Sequence, residues 1–205
     1  MQGRLAYLSH QETLTMLQRA LLRGGIPIAF SGGFNPRPRL SVPLPRSVGT
    51  QSVTERFCAV LSTEEPIHEA VMATHLAEQL PAGCDLLAVQ CVEGKQSFHP
   101  AGVRYLFTLS DHFDENRQRR LMECRAALEA GQCIEVRRYR AKKKIQQPFD
   151  ISPFVKALSF AENRIEIFCR VGQEGSARID ELMQWLCIEA NEFKEPVKRT
   201  EIQWK

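Results

Sequence analysis

A stiff, polar turn near the amino terminus restricts the possible folds more than any other part of the chain. Residues 31–39 read Ser-Gly-Gly-Phe-Asn-Pro-Arg-Pro-Arg and follow a short apolar run. The glycines permit a tight turn or a close approach to a ligand because they have no Cβ, and the prolines keep their neighbours extended. An aromatic ring, an amide and two guanidiniums therefore stand between rigid points: Phe34, Asn35, Arg37 and Arg39. This favours a site for an anionic or planar partner. The alternative is a solvated connection whose arginines pair with surface carboxylates.

The residues before this turn predict a strand and a capped helix. Residues 5–8 are typical of a short strand, and Ser9-His10-Gln11-Glu12 has the spacing of a capping box. The helix is expected to run to about Arg23, where two glycines end it. This order of elements is expected to bring five polar side chains within reach of one another: His10, Arg19, Arg23, Arg37 and Arg39.

Three segments here, residues 8–12, 18–23 and 30–39, resemble the signature of a bacterial domain family of unknown function. A weaker block, Lys142-Lys143-Lys144 followed by residues 149–153, resembles the second basic block of that family. Its members are fused to the carboxyl terminus of radical SAM enzymes or accompany them as separate proteins. The resemblance therefore implies a radical SAM enzyme as partner, and it implies no reaction for this domain itself.

Length and composition indicate a globular protein. A chain of 205 residues, 43% hydrophobic and 25% charged, can bury one large core or two smaller ones. The net charge of +3 does not by itself indicate nucleic-acid binding, so such binding must rest on local clusters. No apolar run approaches the roughly 20 residues that span a membrane, and because polar residues occur by Ser9 we expect no signal peptide. We expect a cytoplasmic protein.

The seven cysteines are scattered, and none forms a Cys-x-x-Cys pair. We expect reduced thiols that act as small core hydrophobes, with no metal site and no cofactor. The Cys-x-x-x-Cys-x-x-Cys spacing of a radical SAM cluster is also missing. The iron–sulfur chemistry that the resemblance implies would therefore belong to another polypeptide.

The order of predicted elements indicates an α+β fold of two tandem ferredoxin-like (βαββαβ) halves, with antiparallel sheets and helices on one face. We place the halves at residues 1–95 and 96–205. Further predicted strands of the first half are 54–61 and 84–92, with a helix at 67–80. Predicted strands of the second half are 103–109, 134–139, 164–171 and 197–204, with helices at 115–130 and 178–189. Residues 151–158 are predicted to be a short helix or turn, and Phe107, Phe168 and Trp185 to be core residues.

A second candidate site is the run at 137–144, which holds six basic residues among eight. Such density with one tyrosine is typical of a surface that neutralises phosphates. The alternative is an edge strand that lysines protect from aggregation. Asp150, just beyond the run, is expected to cap the turn before Pro153 or to pair with the run.

We expect a non-catalytic module that binds tRNA or rRNA and presents it to a partner enzyme. One alternative is a metal-independent RNA-processing enzyme with His10 as its catalytic base, and another is a protein–protein adaptor that docks through the turn at 31–39. The candidate nucleic-acid-binding residues are Arg19, Arg23, Phe34, Asn35, Arg37, Arg39, Arg137, Arg138, Tyr139, Arg140, Lys142, Lys143 and Lys144.

Overall fold

A computed structural model describes residues 1–63, 68–94, 96–140 and 144–205, and the chain has a mixed α+β fold. It divides into two compact units, Met1–His99 and Pro100–Lys205. The helices are α1 (His10–Arg23), α2 (Glu69–Gln79), α3 (Glu115–Glu129) and α4 (Ile179–Leu186), with 3₁₀ turns at Gly3–Tyr7 and Ala190–Glu192. The strands are β1 (Leu40–Ser41), β2 (Gln51–Ser52), β3 (Cys58–Ala59), β4 (Pro100–Thr108), β5 (Glu135–Arg140), β6 (Ile145–Asp150), β7 (Val155–Ala161), β8 (Arg164–Arg170) and β9 (Lys198–Trp204). No described helix has the length and apolar character that a membrane crossing needs.

Helix α1 begins and ends where the sequence predicts. The Ser9 amide donates to Glu12 Oε2 at 2.8 Å, and the Glu12 amide donates to Ser9 Oγ at 3.3 Å, which confirms the capping box. Arg23 is the last helical residue, and Gly24 follows as the C-cap. The buried side of α1 packs with α2 and with the following apolar run in one small core: Ala20, Leu21, Ile26, Ile28, Met72 and Leu76.

The predicted strand at residues 5–8 is wrong, because Gly3–Tyr7 is a 3₁₀ helix. The buried guanidinium of Arg46 explains the difference. It donates to the Leu5 carbonyl at 2.8 Å and to the Ala6 carbonyl at 2.7 Å. The Ala6 carbonyl also accepts from the Gly49 amide at 2.8 Å, so these carbonyls bond to residues about forty positions further along that belong to no strand.

The first unit also has less sheet than predicted. Within 54–61 only Cys58–Ala59 is a strand, and residues 84–92 contain none. The helix predicted at 67–80 is present as Glu69–Gln79, while its expected start at Ile67 lies outside the described residues. The described part of this unit therefore lacks the four-stranded sheet expected for the first half.

In the second unit, four antiparallel strands pair in the order β9-β4-β8-β7. Helix α3 and the β5–β6 hairpin lie between β4 and β7 in the chain, and α4 lies between β8 and β9. One face of the sheet is buried along its two central strands, where Val103, Tyr105 and Phe107 of β4 stand opposite alternate buried residues of β8. Phe107 and Trp185 are buried, as predicted.

Strand β7 replaces the short helix or turn predicted at 151–158. A register shift between Val155 and Ala157 marks a β-bulge, so Val155 and Leu158 both turn inward. Buried residues three apart are typical of a helix, which is why the sequence pattern was misleading here.

Phe168 is not a core residue. It stands opposite Arg104 on the outer face of the sheet, where the Arg104 guanidinium lies 5.4 Å from its ring centre. The ring lies over Gly102, where a Cβ would come within 2.4 Å of the ring. A side chain at position 102 would therefore displace the ring.

Candidate nucleic-acid interface

The turn at residues 31–39, here called the finger, is a closed loop. Phe30 and Pro38 form an isolated antiparallel bridge at its base. Above them the Ser31 amide donates to the Arg37 carbonyl at 2.8 Å, and the Arg37 amide donates to Ser31 Oγ at 2.9 Å. Gly33 has φ +103°, which only glycine adopts readily. The tip is therefore held by two hydrogen bonds and shaped by one obligatory glycine.

Three backbone hydrogen bonds anchor the finger in a closed cycle. The Ala29 amide donates to the Val60 carbonyl at 2.7 Å, and the Val60 amide donates to the Arg39 carbonyl at 2.9 Å. The Arg39 amide completes the cycle by donating to the Ala29 carbonyl at 2.8 Å. Leu40 follows Arg39 and Ala59 precedes Val60, and both side chains pack on the core of the first unit. The finger thus rises from a fixed base.

The four predicted site residues of the finger are all exposed: Phe34, Asn35, Arg37 and Arg39. Phe34 is 104% exposed, and its ring has no aromatic or cation–π contact with any described residue. Neither guanidinium forms a hydrogen bond or an ion pair with a described residue. Within the described part of the chain, the alternative in which surface carboxylates pair with these arginines therefore finds no support.

His10, Arg19 and Arg23 do not converge, although the sequence predicted that they would. At 1.5 Å and 100° per residue, His10 and Arg23 lie about 20 Å apart along α1, and His10 and Arg19 lie on opposite sides of it. His10 is exposed and its side chain bonds no described residue. The Arg23 guanidinium donates to the Gln79 carbonyl at 2.7 Å and to the Gln79 side chain at 3.2 Å. Arg23 thus fastens the end of α2, whereas Arg19 stays exposed.

Arg137, Arg138 and Tyr139 of the basic run lie on strand β5, and their side chains alternate between its two faces. Arg137 and half-exposed Tyr139 point outward, and Lys144, with φ +51°, is exposed at the start of the returning strand. Lys142 and Lys143 lie outside the described residues. Arg140 pairs with Ile145 through β5, and its side chain is also outside the described part.

Arg138 points the other way and is buried. Its guanidinium binds the Glu181 carboxylate through Nε and, at 2.7 Å, through Nη2, and it also donates to the Ser176 carbonyl at 3.0 Å. The Phe149 ring centre lies 3.4 Å from Arg138 Cζ. The side chain of Glu181 is fully buried, and that of Arg138 is 7% exposed. A phosphate would have to break this pair to reach Arg138, so the structure does not support the predicted place of Arg138 among the phosphate-binding residues.

The outer edge of β5 is covered at one point by an amide and not by lysines. The Arg137 amide donates to Gln184 Oε1 at 3.0 Å, and Gln184 Nε2 donates to the Arg137 carbonyl at 3.2 Å. Gln184 belongs to α4, so the helix continues the hydrogen bonding of the strand. The side chain of Arg137 is not needed for this protection and remains exposed.

Asp150 acts as a local cap, as predicted. It accepts hydrogen bonds from the Ile134 amide at 3.0 Å and from the Ser152 amide at 2.9 Å. Burial raises the pKa of Asp150, but the hydrogen bonds from Ser152, Ile134 and Cys133 outweigh burial and leave the pKa below its usual value. Asp150 makes no described contact with the basic run.

The outer face of the second unit's sheet carries paired charges. Arg104 lies 2.9 Å from Glu201 and 4.0 Å from Glu166, and Arg170 pairs with Glu174. Phe168 is the described aromatic ring beside Arg104. Because carboxylates already occupy these guanidiniums, this face is less suited to phosphates than the finger is.

The cysteines only partly match the expectation of core thiols. All seven are free; Cys124 and Cys169 are buried, and burial raises the pKa of Cys169 to about 12. Cys91, Cys133 and Cys187 are exposed. Among the described residues, no group of three or more His, Cys, Asp or Glu side chains could hold a metal ion.

Sequence reasoning identified the finger but missed what holds it. Ser31 closes the loop, and Val60, which directly follows β3 about twenty residues further on, completes the base. The Ser-Gly-Gly spacing is a local signal for a closed turn, because a serine hydroxyl readily accepts from a nearby amide. The participation of Val60 has no local signal.

These features define an α+β protein with a rigid arginine- and phenylalanine-bearing finger in one unit and a basic hairpin in the other. Residues 1–180 match the model of a family described as an uncharacterized protein conserved in bacteria (DUF2344), and the chain belongs to this family. No curated protein and no solved structure matches it. The predicted membership of a bacterial domain family of unknown function is thereby confirmed, while the association with radical SAM enzymes stays a prediction.

Proposed function

We propose that this chain is a non-catalytic RNA-binding module that presents a tRNA or rRNA to a partner enzyme. The observation that carries the proposal is the finger, where a fully exposed aromatic ring, Phe34, is followed by two exposed guanidiniums without a described partner. Salt-sensitive contacts from arginine to phosphate supply most of the affinity of nucleic-acid-binding proteins, and aromatic rings add stacking on bases. The finger offers both on one rigid loop.

The β5–β6 hairpin supports the same function independently. Arg137 and Lys144 are exposed cations, and Tyr139 exposes about half of its surface between them in sequence. The two cations would neutralise phosphates without reading the base sequence, and the tyrosine ring would add a surface for stacking. The proposed binding set is therefore Arg19, Phe34, Asn35, Arg37, Arg39, Arg137, Tyr139 and Lys144, with Arg140, Lys142 and Lys143 included from the sequence alone.

The proposed partner enzyme is of the radical SAM class. The motif resemblance of residues 8–12, 18–23 and 30–39 supports this assignment, because the resembling domains accompany such enzymes. The chain itself lacks the Cys-x-x-x-Cys-x-x-Cys spacing of their cluster. We therefore place the chemistry in the partner and substrate binding in this chain, which works in the cytoplasm.

The position of His10 favours binding over catalysis. A general base needs a neighbour that orients it and a group that stabilises developing charge. His10 bonds no described side chain, and Arg19 and Arg23 of the same helix lie on its far side or at its far end. An RNA-processing reaction through His10 would have to recruit its other groups from elsewhere.

We also infer that Pro100–Lys205 is a ferredoxin-like unit with an inserted hairpin. Without β5 and β6 its elements follow the order β-α-β-β-α-β, and its antiparallel strands pair as β9-β4-β8-β7. The inference concerns this unit alone. On this inference the β5–β6 hairpin is an insertion into the ferredoxin-like fold, and inserted loops of this kind commonly carry function.

Filter binding of bulk tRNA across a salt series tests the proposed function. The affinity should fall steeply with salt, and the Arg37→Gln/Arg39→Gln variant should reduce the slope of log K against log salt by roughly 0.7–0.9 for each phosphate that is no longer neutralised. Arg119→Gln removes an exposed arginine outside the proposed set and should leave the slope unchanged. Retention that ignores salt, or no retention at low salt, would contradict the proposal.

Two further outcomes separate the alternatives. Loss of RNA cleavage in His10→Ala with unchanged RNA affinity would establish the processing enzyme in place of the binding module. A protein partner that stays bound after nuclease treatment and high salt, together with no affinity for tRNA, would establish the adaptor.

A further inference from the structure

The tip of the finger exposes an aromatic ring that the fold does not use. Phe34 is 104% exposed, more than any other large apolar side chain among the described residues. Single exposed apolar residues are ordinary on protein surfaces and need no explanation by themselves. Phe34 differs because the chain around it is fixed: the Ser31–Arg37 bonds close the loop just below it. The ring is therefore held out in water by a rigid support.

Rigidity matters because an ordered loop loses little freedom when it binds. Ordering a mobile loop would consume part of the affinity that a single stacked ring provides. Here the base is fixed by the cycle of Ala29, Val60 and Arg39, and the tip by Ser31 and Arg37. The ring is thus preorganised for binding.

The two arginines of the finger stand two residues apart, with Pro38 between them. Alternate residues of an extended chain point to the same side, about 6.8 Å apart along it. Pro38 is the bridge partner of Phe30, and the alternation of an extended chain places Arg37 and Arg39 together on the face opposite to the Pro38 side chain. Both are exposed, which allows them to contact successive phosphates of one strand.

We propose that the finger captures an unpaired nucleotide of an RNA loop, with Phe34 stacked on its base and Arg37 and Arg39 on the neighbouring phosphates. This inference rests on the proposed RNA-binding function and narrows it to single-stranded segments. In a duplex each base face is already covered by its neighbours, so an aromatic ring must unstack them to bind. Asn35, exposed beside the ring, supplies an amide donor and acceptor for the base edge.

Fluorescence anisotropy with two labelled RNAs tests this inference. One probe is an RNA hairpin with an unpaired loop, and the other is a blunt, fully paired duplex of the same length. The native chain should bind the hairpin more tightly. Phe34→Leu keeps apolar bulk but removes the aromatic face, and it should weaken hairpin binding about 5-fold to 100-fold while leaving duplex binding unchanged.

Matched variants test whether the aromatic face of Phe34 is responsible for the preference for the hairpin. Phe34→Trp keeps the aromatic face and should retain hairpin affinity, and Leu87→Ala removes another exposed apolar side chain and should have no effect. Phe34→Leu should also leave the salt slope unchanged, because the ring carries no charge, whereas Arg37→Gln should lower it. Circular dichroism should show native folding of every variant, since each of the three replaced side chains is exposed.

The results distinguish the two proposals. If the native chain binds neither RNA in a salt-dependent manner, the RNA-binding function fails. If it binds RNA but treats hairpin and duplex alike, or if Phe34→Leu binds the hairpin like the native chain, capture of an unpaired nucleotide is wrong and the function stands. If the chain binds the duplex tightly and Phe34→Leu weakens only the binding of a protein partner, the ring serves that partner and not RNA.

Discussion

Replacing Arg138 tests whether the basic run at 137–144 is a single surface or two different faces. Arg138→Met removes a guanidinium that binds Glu181 and the Ser176 carbonyl and stacks on Phe149. The Glu181 carboxylate would stay buried with one described donor, the Arg178 amide at 2.9 Å. The substitution therefore leaves a buried charge without its counter-ion.

The expected cost follows from that burial. Breaking a buried ion pair by removing one partner costs about 3–5 kcal/mol, mostly because the remaining charge is desolvated. A domain of this size is typically stable by about 5–15 kcal/mol, so the decrease is large. With an m value of about 2 kcal/mol/M, a decrease of about 4 kcal/mol lowers the urea midpoint by about 2 M.

Intrinsic fluorescence is a suitable assay because both tryptophans, Trp185 and Trp204, lie in the second unit. The unfolding of this unit can therefore be followed separately. Glu181→Leu alone should lower the free energy of unfolding by a similar amount. The double variant Arg138→Met/Glu181→Leu should recover most of the stability, apart from about 1 kcal/mol for the cap contact with Arg178. A single-variant cost of about 4 kcal/mol each and a double-variant cost of about 1 kcal/mol correspond to a coupling energy of about 7 kcal/mol in the cycle.

Two results would refute this reasoning. A destabilisation below about 1 kcal/mol in Arg138→Met would mean that the pair is not buried as described. Weaker tRNA binding with unchanged stability would place Arg138 among the phosphate-binding residues. Arg137→Met, which removes the exposed neighbour, is the matched control: it should change stability by less than about 0.5 kcal/mol and lower the salt slope.

Three further predictions concern smaller contacts. Arg23→Gln should lower the free energy of unfolding of the first unit by about 1 kcal/mol, because it removes the hydrogen bonds at the end of α2. Arg19→Gln is the control and should change this free energy by less than about 0.5 kcal/mol. Urea unfolding followed by circular dichroism measures both variants. Because the folded state lowers the pKa of Asp150, its contribution should be complete above the unfolded pKa and disappear as pH falls through the folded one. Asp150→Asn should then flatten the acid side of the stability curve, and an unchanged curve would contradict the cap. Gly102→Ala should cost about 1–3 kcal/mol by displacing the ring of Phe168, and adding Phe168→Ala should remove most of this cost.

Elements that rest on nearby residues were predicted well. The capping box of α1 needs only Ser9 and Glu12, and both predicted bonds are present. The strict alternation over 164–171 produces strand β8, with Ile165 and Ile167 buried. Such patterns are visible in the sequence because hydrogen-bond geometry and burial repeat over a few residues.

Predictions failed where distant contacts override the local pattern. Residues 5–8 have the apolar character of a strand, but Arg46 binds their carbonyls in a 3₁₀ turn. Strand β7 was missed because a bulge at Val155 turns its two-residue period into a spacing of three. Phe168 was assigned to the core because it is a large apolar residue, although its position in the strand directs it to the outer face.

The amino-acid sequence alone determined the chemistry of the finger and the backbone restrictions at its glycines and prolines, because these residue types have such properties in any context. Only the tertiary structure decided which cations remain free for a partner. Arg138 and Arg137 are neighbours with the same charge, yet Arg138 is buried against Glu181, which lies 43 residues further along. Arg23 is likewise engaged by Gln79, 56 residues away. The exposure of a charge depends on what the fold brings beside it, and no local pattern contains that information.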